Sequence, residues 1–161
     1  MTIEQREDGT LVVLSRCENT ESRNFAQAYS YDFGVTWENI HYSSVYTVNT
    51  QPMFYRYDGA PLLVWGGNNA LGGEARVRAP MSIAISHDGL ETFSNILDLY
   101  GKYSFQGMTK SSMQRITNQS VTKGGDDTLL ISWTNLYSRV YTTPTLKVYD
   151  YRLFLPHQGC L

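Results

Sequence analysis

Charge is scarce in this 161-residue chain: Asp, Glu, Lys and Arg make up 17% of it, 13 basic residues stand against 15 acidic ones, and the formal net charge is −2. A dedicated nucleic-acid binder needs a basic excess to displace counterions from phosphate, so no nucleic-acid partner is expected. Cysteine is nearly absent. Cys17 and Cys160 lie near opposite ends, which reads as two incidental thiols rather than a disulfide framework and leaves the redox compartment open. No stretch approaches the roughly 18 uninterrupted apolar residues of a membrane span, so no membrane span is expected and the chain reads as soluble. Taken as a true start, Met1 to Asp8 lacks the basic and apolar regions of a secretory signal. His41, His87 and His157 are scattered, with no Cys or carboxylate at ligand spacing, so neither a metal site nor a cofactor is expected. The glycine-rich run from Gly66 to Gly73 is followed by no Lys-Ser/Thr and no helical pattern, which excludes a phosphate loop.

What the chain does have is apolar and aromatic content: 42% hydrophobic residues, 13% aromatic, 12 Tyr and 13 Gly. Disorder and collagen-like structure are excluded on that balance. The length allows one domain with a real core, or a piece of a larger one.

Short apolar or alternating runs recur between turn signals: Leu11–Leu14, Phe25–Tyr29, Pro52–Tyr57, Leu62–Trp65, Met81–Ile85, Leu129–Trp133 and Leu146–Tyr149. Each has strand length with β-branched or aromatic bias, and none extends into a helical stripe, so the chain is expected to be all-β. Asp8-Gly9, Asp58-Gly59, Asp88-Gly89 and Gly124-Gly125-Asp126-Asp127 supply the turns between them.

The pattern repeats. One unit runs from Asp8-Gly9 through two strands to Ser30-Tyr31-Asp32-Phe33-Gly34-Val35-Thr36-Trp37; a second runs from Asp58-Gly59 to Ser86-His87-Asp88-Gly89-Leu90-Glu91-Thr92-Phe93. In both, Ser stands two before Asp, Thr four after it and an aromatic five after it. Their separation is slightly longer than the roughly 40–50 residues of a four-stranded propeller blade. A third unit begins near Met113 and carries no such box. Three blade units are expected, at about 1–45, 46–105 and 106–161.

The box Ser30-x-Asp32-x-Gly34-x-Thr36-Trp37 resembles the Asp-box, or BNR repeat, of the sialidase superfamily of six-bladed β-propellers. The second copy departs from it: Gly89 directly follows Asp88, Leu90 takes the usual Gly place and Phe93 replaces Trp. In such a box the Ser hydroxyl and Asp carboxylate bond the turn amides, Gly tolerates positive φ and the aromatic plugs the space beneath. Ser30, Asp32, Gly34, Trp37, Ser86, Asp88, Gly89 and Phe93 are therefore expected to be structural.

The resemblance implies a site for a terminal sugar on the central face. Sialidases clamp the sugar's carboxylate with three arginines, because a planar guanidinium matches a carboxylate in a two-bond fork that lysine cannot form. The family's second clamp arginine ends the strand after an Asp-Gly turn, which here is Arg16. The third stands eight residues before the Ser of the next Asp-box, which here is Arg78. Arg76 and Arg23 are fallbacks. The first clamp arginine, the general-acid aspartate and the glutamate partner of the nucleophile map outside the chain; Glu4 is close to the last at the wrong offset.

At the nucleophile the chain departs from the family. Sialidases use a tyrosine, and the corresponding position is Asn118, which cannot replace a phenolate. Tyr103 and Tyr137 are the nearest tyrosines. Residues Tyr100 to Gln114 read as a long loop at the central mouth. Two functions follow from the resemblance: a sialidase-like glycoside hydrolase of which this is the C-terminal half, or a non-catalytic BNR propeller binding a glycan or protein. Carbohydrate is the expected partner, along with the remainder of the propeller or a symmetric second copy, since three blades leave strand edges open. Family habit would place it outside the cytoplasm, secreted or periplasmic.

Overall fold

The computed structural model describes residues 1–17, 23–47, 50–57, 59–66, 81–98, 116–124, 128–137, 140–141 and 145–150. Among these residues every regular element is a strand. The first sheet joins β1 (Thr2–Gln5), β2 (Leu11–Ser15), β3 (Asn24–Ser30) and β4 (Glu38–Tyr46) in sequence order, each antiparallel to the next. The second repeats that order with β5 (Met53–Tyr57), β6 (Ala60–Gly66), β7 (Met81–Ile85) and β8 (Ser94–Asp98). The third is built on β10 (Thr128–Tyr137), which pairs with β9 (Ile116–Lys123), β12 (Thr145–Asp150) and the short β11 (Val140–Tyr141).

Hairpin chemistry sets this order. At the first turn Gly9 takes φ 89°, a value that costs glycine nothing and a β-carbon-bearing residue about 1–2 kcal/mol. The Asp8 carboxylate accepts the Thr10 amide at 2.9 Å, and the Arg6 amide donates to the Thr10 carbonyl at 2.8 Å. The first hairpin is thus closed by bonds local to its own turn.

The first strands of the sheets then meet one another: β1 touches β5, and β5 touches β9. The Thr2 hydroxyl oxygen accepts the Phe54 amide at 3.0 Å across the first of these seams. Sheets that share an axis along their first strands and stack face to face are propeller blades. The core lies between the blades. Val12, Leu14, Phe25, Tyr29 and Val45 of blade 1 pack against Phe54, Leu63, Trp65, Ala84, Leu90 and Phe93 of blade 2. The opposite face of blade 2, with Tyr57, Leu62, Val64, Met81, Ile83 and Ile85, packs on Val121, Leu129 and Ile131 of blade 3. Full burial of a side chain of this size contributes roughly 1.5–3 kcal/mol, so these seams carry most of the tertiary stabilisation. Trp65 is wholly buried and its indole N–H donates to the Tyr46 carbonyl at 3.0 Å, which ties the end of β6 to blade 1.

Among the described residues the chain is all-β, as the sequence predicts, and its three four-stranded sheets stack as propeller blades. Five strands lie outside the apolar runs read from the sequence: β1, β4, β8, β9 and β11. The described side chains of the polar ones explain why: β4 is exposed along five consecutive residues, Glu38 to Tyr42, as the outer edge of its blade.

Candidate functional site

Strand direction divides the blades into two ends. One end holds the turns Gly9, Gly34, Gly59 and Gly89; the other holds the end of β2, the start of β3, the end of β6 and the starts of β5 and β9.

At the first end, both Asp-boxes make the same bonds. Ser30 Oγ donates to Asp32 Oδ1 at 2.8 Å and accepts the Gly34 amide at 2.8 Å, while Asp32 accepts the Thr36 amide at 2.8 Å and the Thr36 hydroxyl at 2.6 Å. Ser86 donates to Asp88 at 2.9 Å and accepts the Leu90 amide at 2.8 Å, while Asp88 accepts the Thr92 amide at 2.9 Å and its hydroxyl at 2.5 Å. The Thr36 hydroxyl and amide, with Ser30, hold the Asp32 carboxyl down to about 2. Burial pushes Asp88 up, but the bonds from Thr92 and Ser86 outweigh it and its pKa also falls. These carboxylates are committed to their own turns.

The departure of the second box from the family pattern has a structural reason. In both boxes the two residues after Asp take positive φ: Phe33 at 59° and Gly34 at 89°, then Gly89 at 70° and Leu90 at 72°. The glycine has exchanged places with a bulky residue. In the first box the bulky side chain, Phe33, points into solvent at 86% exposure; in the second, Leu90 is 1% exposed and fills the seam against blade 1.

Beside Leu90 lies a polar cluster across the same seam. Arg6 Nη2 donates to Glu91 Oε1 at 2.5 Å with its guanidinium 4.8 Å above the Tyr29 ring. The Tyr29 hydroxyl donates to Glu91 Oε2 at 2.7 Å, and Gln27 Nε2 reaches both the Tyr29 hydroxyl (2.7 Å) and the Leu90 carbonyl (2.9 Å). The residue types match a tyrosine–glutamate–arginine catalytic set, but the electrostatics do not. Burial and the Glu91 carboxylate push the Tyr29 hydroxyl up to about 12, away from the phenolate a nucleophile needs. Burial pushes Glu91 up as well, yet the bonds from Tyr29 and Arg6 outweigh it and hold it ionised. The cluster is an inter-blade clasp. A cleft of about 520 Å³ opens over it, lined in part by Arg6, Arg56, His87 and Asp88.

The opposite end carries Arg16, the described one of the two arginines that the sequence points to for sugar binding, and the fallback Arg23. Arg16 follows β2 and is exposed. Arg23 enters β3 half-buried, donating from Nη1 to the Tyr46 hydroxyl at 2.9 Å, and its carbonyl accepts the Thr47 amide at 2.5 Å. Below them Thr47 and Thr50 share a hydroxyl bond of 3.0 Å, and Thr50 donates to the Gly66 carbonyl at 2.5 Å. Asn118 stands at the start of β9 with φ 53° and an exposed side chain; its neighbour Gln119 donates to the carbonyls of Gln51 and Val64. Arg16, Arg23 and Asn118 therefore occupy the same end of their blades. Arg76, Arg78, Tyr103, the loop Tyr100 to Gln114, His157 and Cys160 lie outside the described residues. Glu4 is engaged elsewhere, in an ion pair with Arg56 at 2.7 Å. Among the described residues no group of three or more His, Cys, Asp or Glu side chains is placed to hold a metal ion.

What sequence reasoning missed is the clasp. Its signal was present as Arg6, two residues before Asp8-Gly9, and Glu91 inside the second box, but nothing in linear order joins them.

Known proteins share this architecture. The structure is similar to the alpha-L-arabinanase of Penicillium chrysogenum, complexed with arabinobiose, at 14% identity and a TM-score of 0.57, over 96% of this chain and 46% of that one. It is also similar to the alpha-L-arabinofuranosidase Arb93A of Fusarium graminearum, in complex with an iminosugar inhibitor, at 13% identity and a TM-score of 0.53, over 92% and 47%. A Dyadobacter fermentans protein of unknown function aligns at 15% identity and a TM-score of 0.54, over 94% and 37%. The chain thus spans less than half the length of each. Among curated proteins no sequence matches it. The model of the BNR repeat-like domain matches residues 1–143, most of the chain and both Asp-boxes, and the chain belongs to that family.

Proposed function

We propose that this chain is the C-terminal half of a carbohydrate-active propeller that binds a terminal sugar at the end bearing Arg16. The observation that supports the reading is the segregation of the two ends: Asp-box carboxylates are saturated by their own turns, while an exposed arginine, a second held by Tyr46 and the exposed Asn118 lie at the opposite end of their blades. Arg16 and Arg78 act as substrate-binding residues, each offering a guanidinium fork to a carboxylate or to paired sugar hydroxyls. The relatives named for arabinan-degrading activities support a sugar ligand; their sugars bear no carboxylate, so a neutral furanoside stands beside a sialoside as the substrate class.

Asn118 supports a second reading. An amide cannot serve as the nucleophile, so the propeller either hydrolyses a sugar without a tyrosine at this position or binds glycan without turning it over. The complete protein would be offered fluorogenic sialoside and arabinofuranoside in parallel with binding of the free sugars. Turnover of either glycoside supports the hydrolase, and binding without turnover supports the lectin-like reading. Absence of both turnover and binding refutes the sugar site.

A further inference from the structure

Bulges among the described strands place asparagine in the left-handed region at two positions. On β4, Asn39 and Ile40 stand opposite Ala28 alone, since Glu38 pairs with Tyr29 and His41 with Gln27. On β9, Asn118 and Gln119 stand opposite Trp133 alone, since Thr117 pairs with Thr134 and Ser120 with Ser132. The first residue of each pair has φ 53°, in the bulge form that normally takes glycine there. Asparagine tolerates this backbone better than other side chains, so the conformation alone gives neither residue a function. What separates the two is how each bulge is held.

On β4 the bond is local, with the Asn39 carbonyl accepting from His41 Nδ1 at 2.7 Å. On β9 it comes from another blade. Gln119 lies two residues before Val121, whose side chain packs on blade 2, and its Nε2 donates to the carbonyls of Gln51 and Val64. Both acceptors are carbonyls, which fixes the amide nitrogen toward blade 2. Val64 is followed by Trp65, whose indole N–H holds the Tyr46 carbonyl, and the Tyr46 hydroxyl in turn holds Arg23. The ties on Arg23 and on the β9 bulge thus end on consecutive residues of β6. Asn118 itself is exposed, and among the described residues nothing bonds its carboxamide. A ladder position on the innermost strand is given up, and a left-handed backbone is held from a second blade, for a side chain that neither packs nor bonds within the fold.

We propose, building on the sugar site proposed for this end, that Asn118 is a specificity residue of that site which binds a pair of neighbouring sugar hydroxyls, and that Gln119 is its positioning residue. A carboxamide sets an acceptor oxygen and a donor nitrogen side by side, so Oδ1 accepts from one hydroxyl while Nδ2 donates to the oxygen of the next. A sugar lacking either hydroxyl leaves an amide atom covered and unpaired, which is what makes such a contact selective. A carboxylate has no hydrogen to give Oδ1 and is better matched by a guanidinium. The amide therefore selects for a neutral hydroxyl face of the sugar.

The complete polypeptide would be titrated in a calorimeter with methyl arabinofuranoside, N-acetylneuraminic acid and the monodeoxy analogues of each. Asn118→Gly keeps the left-handed backbone and removes the carboxamide. It is expected to melt close to wild type, to bind about tenfold more weakly, and to lose the penalty that wild type shows for a sugar lacking a contacted hydroxyl. Gln119→Leu is expected to weaken binding in the wild-type background and to add nothing to Asn118→Gly, as a residue acting through Asn118 must. Wild-type affinity with an unchanged monodeoxy profile in Asn118→Gly would overturn the proposal and leave the sugar site standing. So would a glycine variant that melts as low as Asn118→Ala, because the amide would then be structural. Additive losses in the double variant would remove Gln119 from its role. If wild type binds neither sugar, the site and the proposal fall together.

Discussion

Leu90 offers an inversion of the usual order of glycine and alanine. It is 1% exposed, at φ 72°, with its amide bonded to Ser86 Oγ at 2.8 Å and its side chain in the seam with Tyr29 and Phe93. Leu90→Ala removes buried carbons and leaves a cavity, a loss of about 3 kcal/mol, while keeping the left-handed backbone strain. Leu90→Gly loses slightly more apolar volume and costs the unfolded chain's extra freedom, about 0.5–1 kcal/mol, but it releases about 1–2 kcal/mol of strain. The net expectation is that Leu90→Gly is destabilised by about 2–3 kcal/mol and is the more stable of the two by about 0.5–1 kcal/mol. Urea unfolding of both variants beside wild type reads this directly, since a urea slope of about 1–3 kcal/mol/M converts the gap into a resolvable midpoint difference. A lower midpoint for the glycine variant would refute the reasoning, because it would mean that Leu90 carries no backbone strain.

Three further outcomes are expected. Tyr29 has a folded pKa of about 12 against an ordinary 10.0, so its proton favours the folded state: this contribution is complete below pH 10 and fades as pH rises toward 12, and Tyr29→Phe should flatten the decline in an alkaline melting series. Asp32 is shifted the opposite way, to about 2 from 3.8; its contribution is present above pH 3.8 and lost as pH falls through 2, and Asp32→Asn should weaken that acid dependence while lowering stability at pH 7. Arg16→Lys should reduce affinity for a carboxylated sugar about tenfold or more in calorimetry with little change in melting temperature, because lysine keeps the charge and loses the fork; unchanged affinity would remove Arg16 from the site.

Fold class was legible because strand runs and Asp-Gly turns are local: Leu62–Trp65 and Met81–Ile85 are rich in apolar residues and, lying between two blades, are buried on both faces. The same logic hid β4, whose Glu38-to-Tyr42 segment is exposed and shows no apolar alternation. It also hid β1, where Thr2 and Glu4 alternate with Ile3 and Gln5 in the burial pattern without an apolar stripe. At the candidate site, Arg16 was legible as the residue that ends a strand after a turn. The restraint of Arg23 by Tyr46 was not, since it spans a strand pair with bulged register.

The sequence by itself determined the hairpins and the boxes, because Ser30, Asp32 and Thr36 satisfy one another within seven residues. Only the tertiary structure decided what those boxes face. Leu90 reads as a flaw in the motif until blade 1 is packed on it. Arg6, Tyr29 and Glu91 read as unrelated charges and an aromatic until the seam brings them within hydrogen-bond reach. The physical reason is range: turn chemistry acts over a few residues, whereas burial and ion pairing act between surfaces whose partners are set by how the blades stack.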